Sequence, residues 1–348
     1  MTNPNPGELL ITRRMALATL ATLPTALLTK VQTGPLTPSI AEEFLMQAAT
    51  SITTCWHLLR GDGLATVEYT LPKYVSLLTM LVKHASPYQQ RAAYLASQGY
   101  LLLSLIALHR LRFAERVAQC QHAVTYANQS GDQTLLVTAY THLGDAFYTN
   151  GQPEKMLHTY QHAEESSRSP RTPAFLRSKV LAELAHAYAQ QGMRQEVLHC
   201  LGEARTIFIE ENEDIPVFLS TDYGLFQLIL FEGLSMLGLG THEAKHRAQD
   251  RARSHYREAE DKLSKIEHLP QTVIVPDRIN VEIVNQRARA SIGAENLDAF
   301  ERYLLKGIQG AKQLSSEKRR QEAIANWKMA REQWAHEKKI VELADALF

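Results

Sequence analysis

The sequence predicts an all-α protein built from stacked pairs of antiparallel helices, and three observations lead to this prediction. Helical periodicity begins near Ile40 and continues almost to the C-terminus. One pattern of small, large and glycine residues occurs twice between Leu135 and Phe208, with the same internal offsets. The 348 residues, 45% hydrophobic and 21% charged, suit a long repeat array with a continuous core. We therefore expect one array of repeats rather than several unrelated domains.

Each copy of the pattern predicts a helix–turn–helix hairpin. A small residue is followed by an aromatic residue after three positions, a glycine after seven, a large residue after sixteen and a second small residue after nineteen. The two sets are Gly144, Phe147, Gly151, Tyr160 and Ala163, then Ala185, Tyr188, Gly192, Leu201 and Ala204. The small residues let two helices approach closely, the large residues fill the space beside that contact, and the glycine permits the turn.

The first copy, together with Leu143, resembles the tetratricopeptide repeat, which has Leu-Gly before an aromatic residue and a later alanine. This resemblance implies a superhelix in which the first helix of each hairpin lines a concave groove. It also implies a non-enzymatic protein that binds peptides or other proteins. We expect five or six hairpins, with equivalent small positions at Ser104, Gly144, Ala185, Gly233 and Arg287.

Residues 1–39 are predicted to be an N-terminal appendage and residues 40–348 the repeat domain. Arg13 and Arg14 precede an apolar run at 15–28, predicted to be a linker helix, and two prolines in 34–39 end it. With Glu42-Glu43-Phe44-Leu45 and Cys55-Trp56-His57-Leu58-Leu59, this segment resembles the linker and first repeat of bacterial helix-turn-helix regulators that carry tetratricopeptide arrays. A twin-arginine export signal and a membrane-surface anchor are the alternatives. The run has no A-x-A-like cleavage site and is too short to span a bilayer.

Turn chemistry and charge predict the remaining elements. Pro72 is expected to kink or delay the second helix of the first hairpin. Connectors or loops are predicted at 128–132, 166–173, 210–214 and 269–276. The last helices, near 297–313 and 316–347, carry alternating charges typical of a solvated cap.

Charge and cysteine usage restrict the functional classes. The 37 basic and 37 acidic residues balance, so neither direct nucleic-acid binding nor stable membrane insertion is expected. Cys55, Cys120 and Cys200 have no C-x-x-C spacing and are predicted to be buried small hydrophobes. Free cysteines suit a reducing compartment, so a cytoplasmic location is expected, with export as the alternative.

One short motif suggests catalysis. His242-Glu243-Ala244-Lys245-His246 matches the H-E-x-x-H pattern of zinc hydrolases. An apolar stripe from Ala244 to Ile266, taken as one helix, places both histidines on the solvent side, and no metzincin continuation follows. The sequence therefore predicts no catalytic residue, metal or cofactor. A zinc-dependent hydrolase is kept as the alternative from another class.

The concave surface supplies the candidate binding residues. Thr138, Thr141, Asp145 and Tyr148 flank the small position of one repeat, and Lys179 and His186 that of the next. The chaperone-binding branch of the resembled family holds a peptide carboxylate with a lysine and asparagines at such places, where this chain has Thr141 and Asp145. A peptide with a basic or neutral contact near Asp145 is therefore expected. An oligomerising scaffold of the same fold is the alternative.

Overall fold

The structure is a computed structural model that describes residues 37–83, 87–208, 215–220, 223–271 and 273–344. These ranges contain fifteen α-helices, one short 3₁₀ helix at Lys265–His268 and no strand. The predicted linker helix at 15–28 and the acidic loop at 210–214 lie outside the described residues. The helices are α1 Pro38–Leu58, α2 Leu64–Lys83, α3 Gln89–His109, α4 Phe113–Ser130, α5 Gln133–Thr149, α6 Pro153–Ser167, α7 Ala174–Gln190, α8 Arg194–Ile207, α9 Val217–Ser220, α10 Leu225–Lys245, α11 Gln249–Ser264, α12 Asp277–Gly293, α13 Leu297–Gln313, α14 Glu317–Gln333 and α15 Lys338–Glu342.

Six hairpins account for most of these helices, and the predicted all-α, tetratricopeptide-like superhelix is confirmed. The pairs are α1/α2, α3/α4, α5/α6, α7/α8, α10/α11 and α12/α13, followed by α14. From α3 onward, the first helix of each pair contacts the first helix of the next. The inner helices α3, α5, α7, α10, α12 and α14 therefore form one layer, and their partners cover it.

Helix ends follow from local capping chemistry. The Asp132 carboxylate accepts a hydrogen bond from the Leu135 backbone N–H at 2.7 Å, which starts α5. The Thr37 hydroxyl accepts from Ile40 at 3.4 Å, so α1 starts at Pro38, two residues before the predicted start. Gly151, in the turn after α5, has φ +71°, a left-handed conformation that glycine adopts without steric cost.

The turn geometry corrects the predicted register of two repeats. Positive-φ residues lie seven positions after Ser104, Gly144 and Ala185, at Leu111, Gly151 and Gly192. In the later hairpins the matching turn residues are Arg247 and Glu295. The equivalent small residues are therefore Gly240 and Ala288, and the predicted Gly233 and Arg287 are wrong.

The error at Gly233 has a structural reason, because three of the inner helices, α3, α7 and α10, have small residues at two positions seven apart. Ser97 and Ser178 occupy the earlier position, and their hydroxyls donate to the carbonyls of Ala123 and Ala204 at 2.8 and 2.9 Å. Gly233 occupies this earlier position in α10. A Cβ on Gly240 would lie 3.2 Å from the Tyr256 ring, as one on Gly144 would lie 2.7 Å from that of Tyr160.

Three predicted helix boundaries also differ from the structure. Helix α2 passes through Pro72 from its start at Leu64, so the delayed start is wrong. Helix α4 continues through Ser130, so only the last part of the predicted loop at 128–132 is non-helical. The predicted helix at 316–347 breaks between Gln333 and Lys338.

The layer of inner helices closes on itself, because the start of α14 contacts the end of α3. His109 is buried there, with Nδ1 2.7 Å from the Ser316 hydroxyl. Arg278 of α12 donates to Nε2 of the same ring at 3.2 Å. Since Nε2 accepts, Nδ1 carries the proton and donates to Ser316. Burial, reinforced by Arg278 and Arg319, holds the pKa of His109 well below its usual value, so this neutral form is favoured.

A second long-range contact joins the middle of the array to its first repeats. Helix α9 contacts α1, and the Phe218 ring lies 6.3 Å from that of Tyr94 on α3. Tyr223 follows and is buried between Phe175 and Phe208. The insertion that lengthens this repeat thus has a packing role.

Over the residues that the structure describes, the core consists of two clusters of buried hydrophobic residues, one from Phe44 to Ala290 and the other from Ala288 to Leu343. All three cysteines are buried and free, as predicted, and burial raises the pKa of Cys120 to about 11. Helices α3 and α10 are long and apolar enough to cross a membrane by length and composition. Most of each apolar window, 83% and 72%, is covered by neighbouring helices.

Candidate functional site

The ring of inner helices encloses a cavity of about 300 Å³, here called the central chamber. Its wall includes side chains from all six inner helices and Arg116 from α4. Ten of these are charged: Arg116, Asp145, Lys179, Glu183, Arg278, Glu282, Arg289, Lys318, Arg319 and Glu322. Aliphatic and aromatic side chains, mostly from α3 and α10, form the rest of the wall together with polar groups.

Five of the six predicted binding residues line the central chamber. These are Thr141, Asp145 and Tyr148 of α5, with Lys179 and His186 of α7. The sixth, Thr138, is buried between helices, and its hydroxyl donates to the Thr134 carbonyl at 2.8 Å. Thr138 therefore does not line the chamber, and its hydroxyl bonds within its own helix.

Asp145 already has a cationic partner inside the protein. Arg116, whose side chain is 1% exposed, contacts the Asp145 carboxylate at 2.5 Å. Another Arg116 nitrogen donates to the Thr149 hydroxyl at 2.7 Å and to the Asp145 carbonyl. Burial opposes ionisation of Asp145, but the Arg116 charge outweighs it and lowers the pKa to about 2. The basic contact expected from a peptide at Asp145 is thus supplied by Arg116.

A second buried network lies on the opposite wall. Arg319 of α14 pairs with Glu282 of α12 and with Glu322, the latter at 2.8 Å. Lys318 also lies 3.1 Å from Glu322. Burial opposes ionisation of Glu322, but Arg319 and Lys318 lower its pKa to about 2. These contacts join α12 to α14 beside the point where the ring closes.

A third group of residues lies at the C-terminal ends of four inner helices. The Tyr148 and His186 rings meet edge to face with centroids 5.0 Å apart. Arg289 of α12 lies beside Tyr148 and donates to the Thr241 hydroxyl of α10 at 3.1 Å. Burial and the Arg289 charge, opposed by Asp145, lower the pKa of His186 to about 4, so the ring is neutral at pH 7. We call these four residues the Arg289 group.

Comparison with known proteins gives a match in fold. No protein-family model and no curated protein sequence matches the chain. NprR in complex with its cognate peptide NprX superposes with a TM-score of 0.50 at 15% identity, covering 96% of this chain and 86% of that one. The apo form of the quorum sensor NprR from B. thuringiensis gives a TM-score of 0.48 at 17% identity, covering 97% and 85%. A signal transduction ATPase with a tetratricopeptide repeat sensor, from Pyrococcus horikoshii, gives 0.44 at 12% identity, covering 97% and 46%.

The chain has a tetratricopeptide-like fold. At these identities the likeness concerns the fold. The family resemblance carried by Gly144, Tyr160 and their counterparts is therefore supported independently by the backbone.

Several chamber residues of this repeat protein were not predicted from the sequence. Arg116 lies in the second helix of its hairpin, which the family places on the outer layer, yet its long side chain reaches the chamber. Lys318, Arg319 and Glu322 lie on α14, predicted to be a solvated cap. The signal that could have identified α14 as an inner helix is the Ser316 N-cap followed by apolar Ile324 and Trp327.

The H-E-x-x-H motif falls at the end of α10 in this repeat protein. Helix α10 ends at Lys245 and α11 begins at Gln249, so the single helix assumed from Ala244 to Ile266 is wrong. The His242 and His246 rings lie 4.2 Å apart, and Glu243 pairs with Arg251 at 3.3 Å. Among the described residues, no third His, Cys, Asp or Glu joins them in a group suited to a metal ion.

Proposed function

We propose that this repeat protein binds a short peptide in the central chamber and acts as a non-catalytic sensor or adaptor in the cytoplasm. The observation that carries the proposal is the chamber itself, an enclosed space of about 300 Å³ with both charged and apolar walls. Ligand sites in proteins occupy roughly 300–1,000 Å³ and combine apolar surface with a few polar groups. The chamber therefore suits a short peptide segment better than a whole helix or a folded partner.

The fold comparison supports a peptide as the ligand. NprR, which shares this fold, is a quorum sensor whose structure has been solved with its cognate peptide NprX. The sequence also resembles the repeat region of bacterial helix-turn-helix regulators. A regulatory sensor is therefore the role we propose, with the partner that responds to the peptide unspecified.

Ring closure supplies a way for a bound peptide to be sensed. The chamber wall includes residues from both sides of the contact that closes the ring. These are His109 of α3 on one side, and Arg278 of α12 with Arg319 of α14 on the other. A peptide in the chamber contacts elements that are far apart in the chain. Binding therefore changes the free energy of ring closure, and a population shift follows if the open and closed forms differ in affinity.

The experiment is affinity selection from a defined pool of synthetic heptapeptides, with bound peptides separated by size exclusion and identified by mass spectrometry. The wild-type protein is expected to retain a subset of the pool. Leu234→Trp, which adds bulk at a half-buried position of the chamber wall, should retain far less. Helical content by circular dichroism should stay unchanged for this variant.

The matched control is Leu198→Trp, which adds the same bulk at a side chain 48% exposed on α8. It should retain the same peptides as the wild type. The proposal fails if no peptide is retained, or if Leu234→Trp and Leu198→Trp behave alike. A concentration-dependent dimer by light scattering, combined with no peptide retention, would instead support the oligomerising scaffold.

A further inference from the structure

Arg289 differs from Arg116, Lys179 and Arg319 of the central chamber in its partners. Arg116 pairs with Asp145, Lys179 lies 3.7 Å from Glu183, and Arg319 pairs with Glu282 and Glu322. Arg289 instead donates to a neutral hydroxyl, that of Thr241, and no ion pair to it is found in the described parts of the chain. Its Nε, like those of Arg116 and Arg319, is buried without a hydrogen-bond partner. The guanidinium therefore lines the chamber as a positive charge that no carboxylate of the described residues pairs with.

The acidic residues that influence Tyr148, which lies beside Arg289, are paired with other cations. Asp145 pairs with the buried Arg116, and Glu322 pairs with the buried Arg319. The chamber wall as a whole carries six Lys or Arg side chains against four Asp or Glu. An anionic group entering the chamber thus meets a net positive wall, with an available guanidinium at one place.

The side chains around Arg289 place a hydroxyl group and a fixed aromatic ring beside the guanidinium. Tyr148 supplies a phenol hydroxyl beside the guanidinium. Gln190 lies 3.0 Å from the His186 Nε2, which fixes this ring at the edge of Tyr148. A planar carboxylate can receive two N–H donors from one guanidinium, and such bidentate contacts are among the stronger hydrogen bonds in proteins.

An apolar stripe leads to this place along α10. Leu230, Leu234 and Leu237 line the chamber at spacings of four and three, and Thr241, which holds Arg289, follows four residues later. These positions share one helical face. Phe231 lies beside them, with its ring 6.2 Å from that of His186. An anion on Arg289 is therefore adjacent to a surface that excludes water and accepts an aliphatic side chain.

We propose that the ligand presents a carboxylate to Arg289 and an adjacent aliphatic side chain to the α10 stripe. This inference rests on the proposed peptide-binding function and specifies the chemistry of the same chamber. The carboxylate belongs either to an acidic side chain or to the C-terminus of the peptide. The cation comes from α12, whereas the resembled family places its carboxylate contacts at the positions of Thr141 and Asp145 on α5.

The test compares four heptapeptide pools in the affinity selection. One pool has acidic side chains and free C-termini. The second has amidated C-termini, the third has Asn and Gln in place of Asp and Glu, and the fourth has both changes. The wild-type protein should bind peptides of the fourth pool about 10- to 100-fold more weakly than those of the first, as the loss of a charged hydrogen bond predicts. The second and third pools show which carboxylate source is used.

Arg289→Gln should remove this discrimination, so that the variant retains the first and fourth pools equally. The matched control is Arg168→Gln, at an arginine 69% exposed on the outside, which should discriminate as the wild type does. Equal retention of all pools by the wild type overturns the carboxylate assignment and leaves peptide binding intact. The Arg289→Gln variant should retain both pools at the level at which the wild type retains the fourth pool. Retention of the fourth pool below that level also overturns the assignment, because that result indicates a structural role. Retention from no pool by the wild type would instead refute the proposed function.

Discussion

The middle and the C-terminal repeats use the same hairpin but differ in the contact between neighbouring inner helices. Helices α5 and α7 meet through the Tyr148 and His186 rings, whereas α12 and α14 share a buried ion pair. In α5–α8 the helices meet at small residues, such as Gly144 against the Tyr160 ring. In α12–α14 the contacts between inner helices include a buried arginine, Arg319, shared between Glu282 and Glu322. The difference shows that small-residue spacing is sufficient to build a hairpin. Closing the ring of hairpins depends in addition on buried charges and their partners.

The largest expected effect tests the charged region. Arg319→Met removes a cation that is 3% exposed. The negative charges of Glu282 and Glu322 then lose the buried positive charge that pairs with them. Removing one partner of a buried ion pair costs about 3–5 kcal/mol, because the remaining charge is desolvated without its partner. The free energy of unfolding, measured by urea denaturation with circular dichroism, should fall by about 3 kcal/mol.

Arg320→Met is the control, because the same change one residue later affects a side chain that is 45% exposed. Exposed ion pairs such as Arg320–Glu317 contribute at most about 1 kcal/mol, so little change is expected. If Arg319→Met and Arg320→Met destabilise the protein equally, the C-terminal repeats are not held by the buried network. The middle and the C-terminal repeats would then not differ in their dependence on buried charges.

The next effect concerns pH and the neutral histidine of the middle repeats. The pKa of His186 is lowered to about 4 in the folded protein, against about 6.5 in the unfolded chain. Between these values the unfolded state binds more protons, so its free energy falls relative to the folded state as pH decreases. His186 should thus lower the free energy of unfolding by about 2 kcal/mol between pH 7.5 and pH 5.

His186→Gln is expected to remove this part of the pH dependence, since glutamine does not titrate. His158→Gln, at an exposed position on α6, should leave the dependence unchanged. His109 acts in the same direction, because its pKa is also lowered by burial. The interpretation is wrong if the stability of His186→Gln falls with acidification as steeply as that of the wild type.

The fold could largely be predicted from the sequence, because small and turn-forming residues act locally. Gly144 and Ala185, with the residues at fixed offsets from them, were enough to predict two of the hairpins. The prediction of a helix over 297–313 matches α13. The register of the later repeats was harder to predict from the sequence. Gly233 and Gly240 both lie at close helix contacts, and only the positive φ of Arg247 shows which one precedes the turn by seven residues.

The candidate site was predictable only on one wall. Family geometry placed Thr141, Asp145 and Tyr148 toward the groove because they share a face of α5. The opposite wall depends on ring closure, which brings α14 beside α3, more than 200 residues earlier in the chain. No local pattern encodes that approach, so Arg289 and Arg319 could not be assigned to the same chamber.

The smallest expected effect tests the packed middle repeats. Alanine at Gly144 would place a Cβ 2.7 Å from the ring of Tyr160, which is 1% exposed and has little room to move. Overpacking costs about 1–3 kcal/mol, offset by up to about 1 kcal/mol from the better helix propensity of alanine. Gly144→Ala should therefore destabilise the protein by about 1 kcal/mol in urea denaturation. In Gly202→Ala the new Cβ meets no atom within 4 Å, so only the propensity gain applies and stability should rise. Opposite signs for these two substitutions establish close approach at Gly144, whereas a gain in both would mean that α5 and α6 separate without cost.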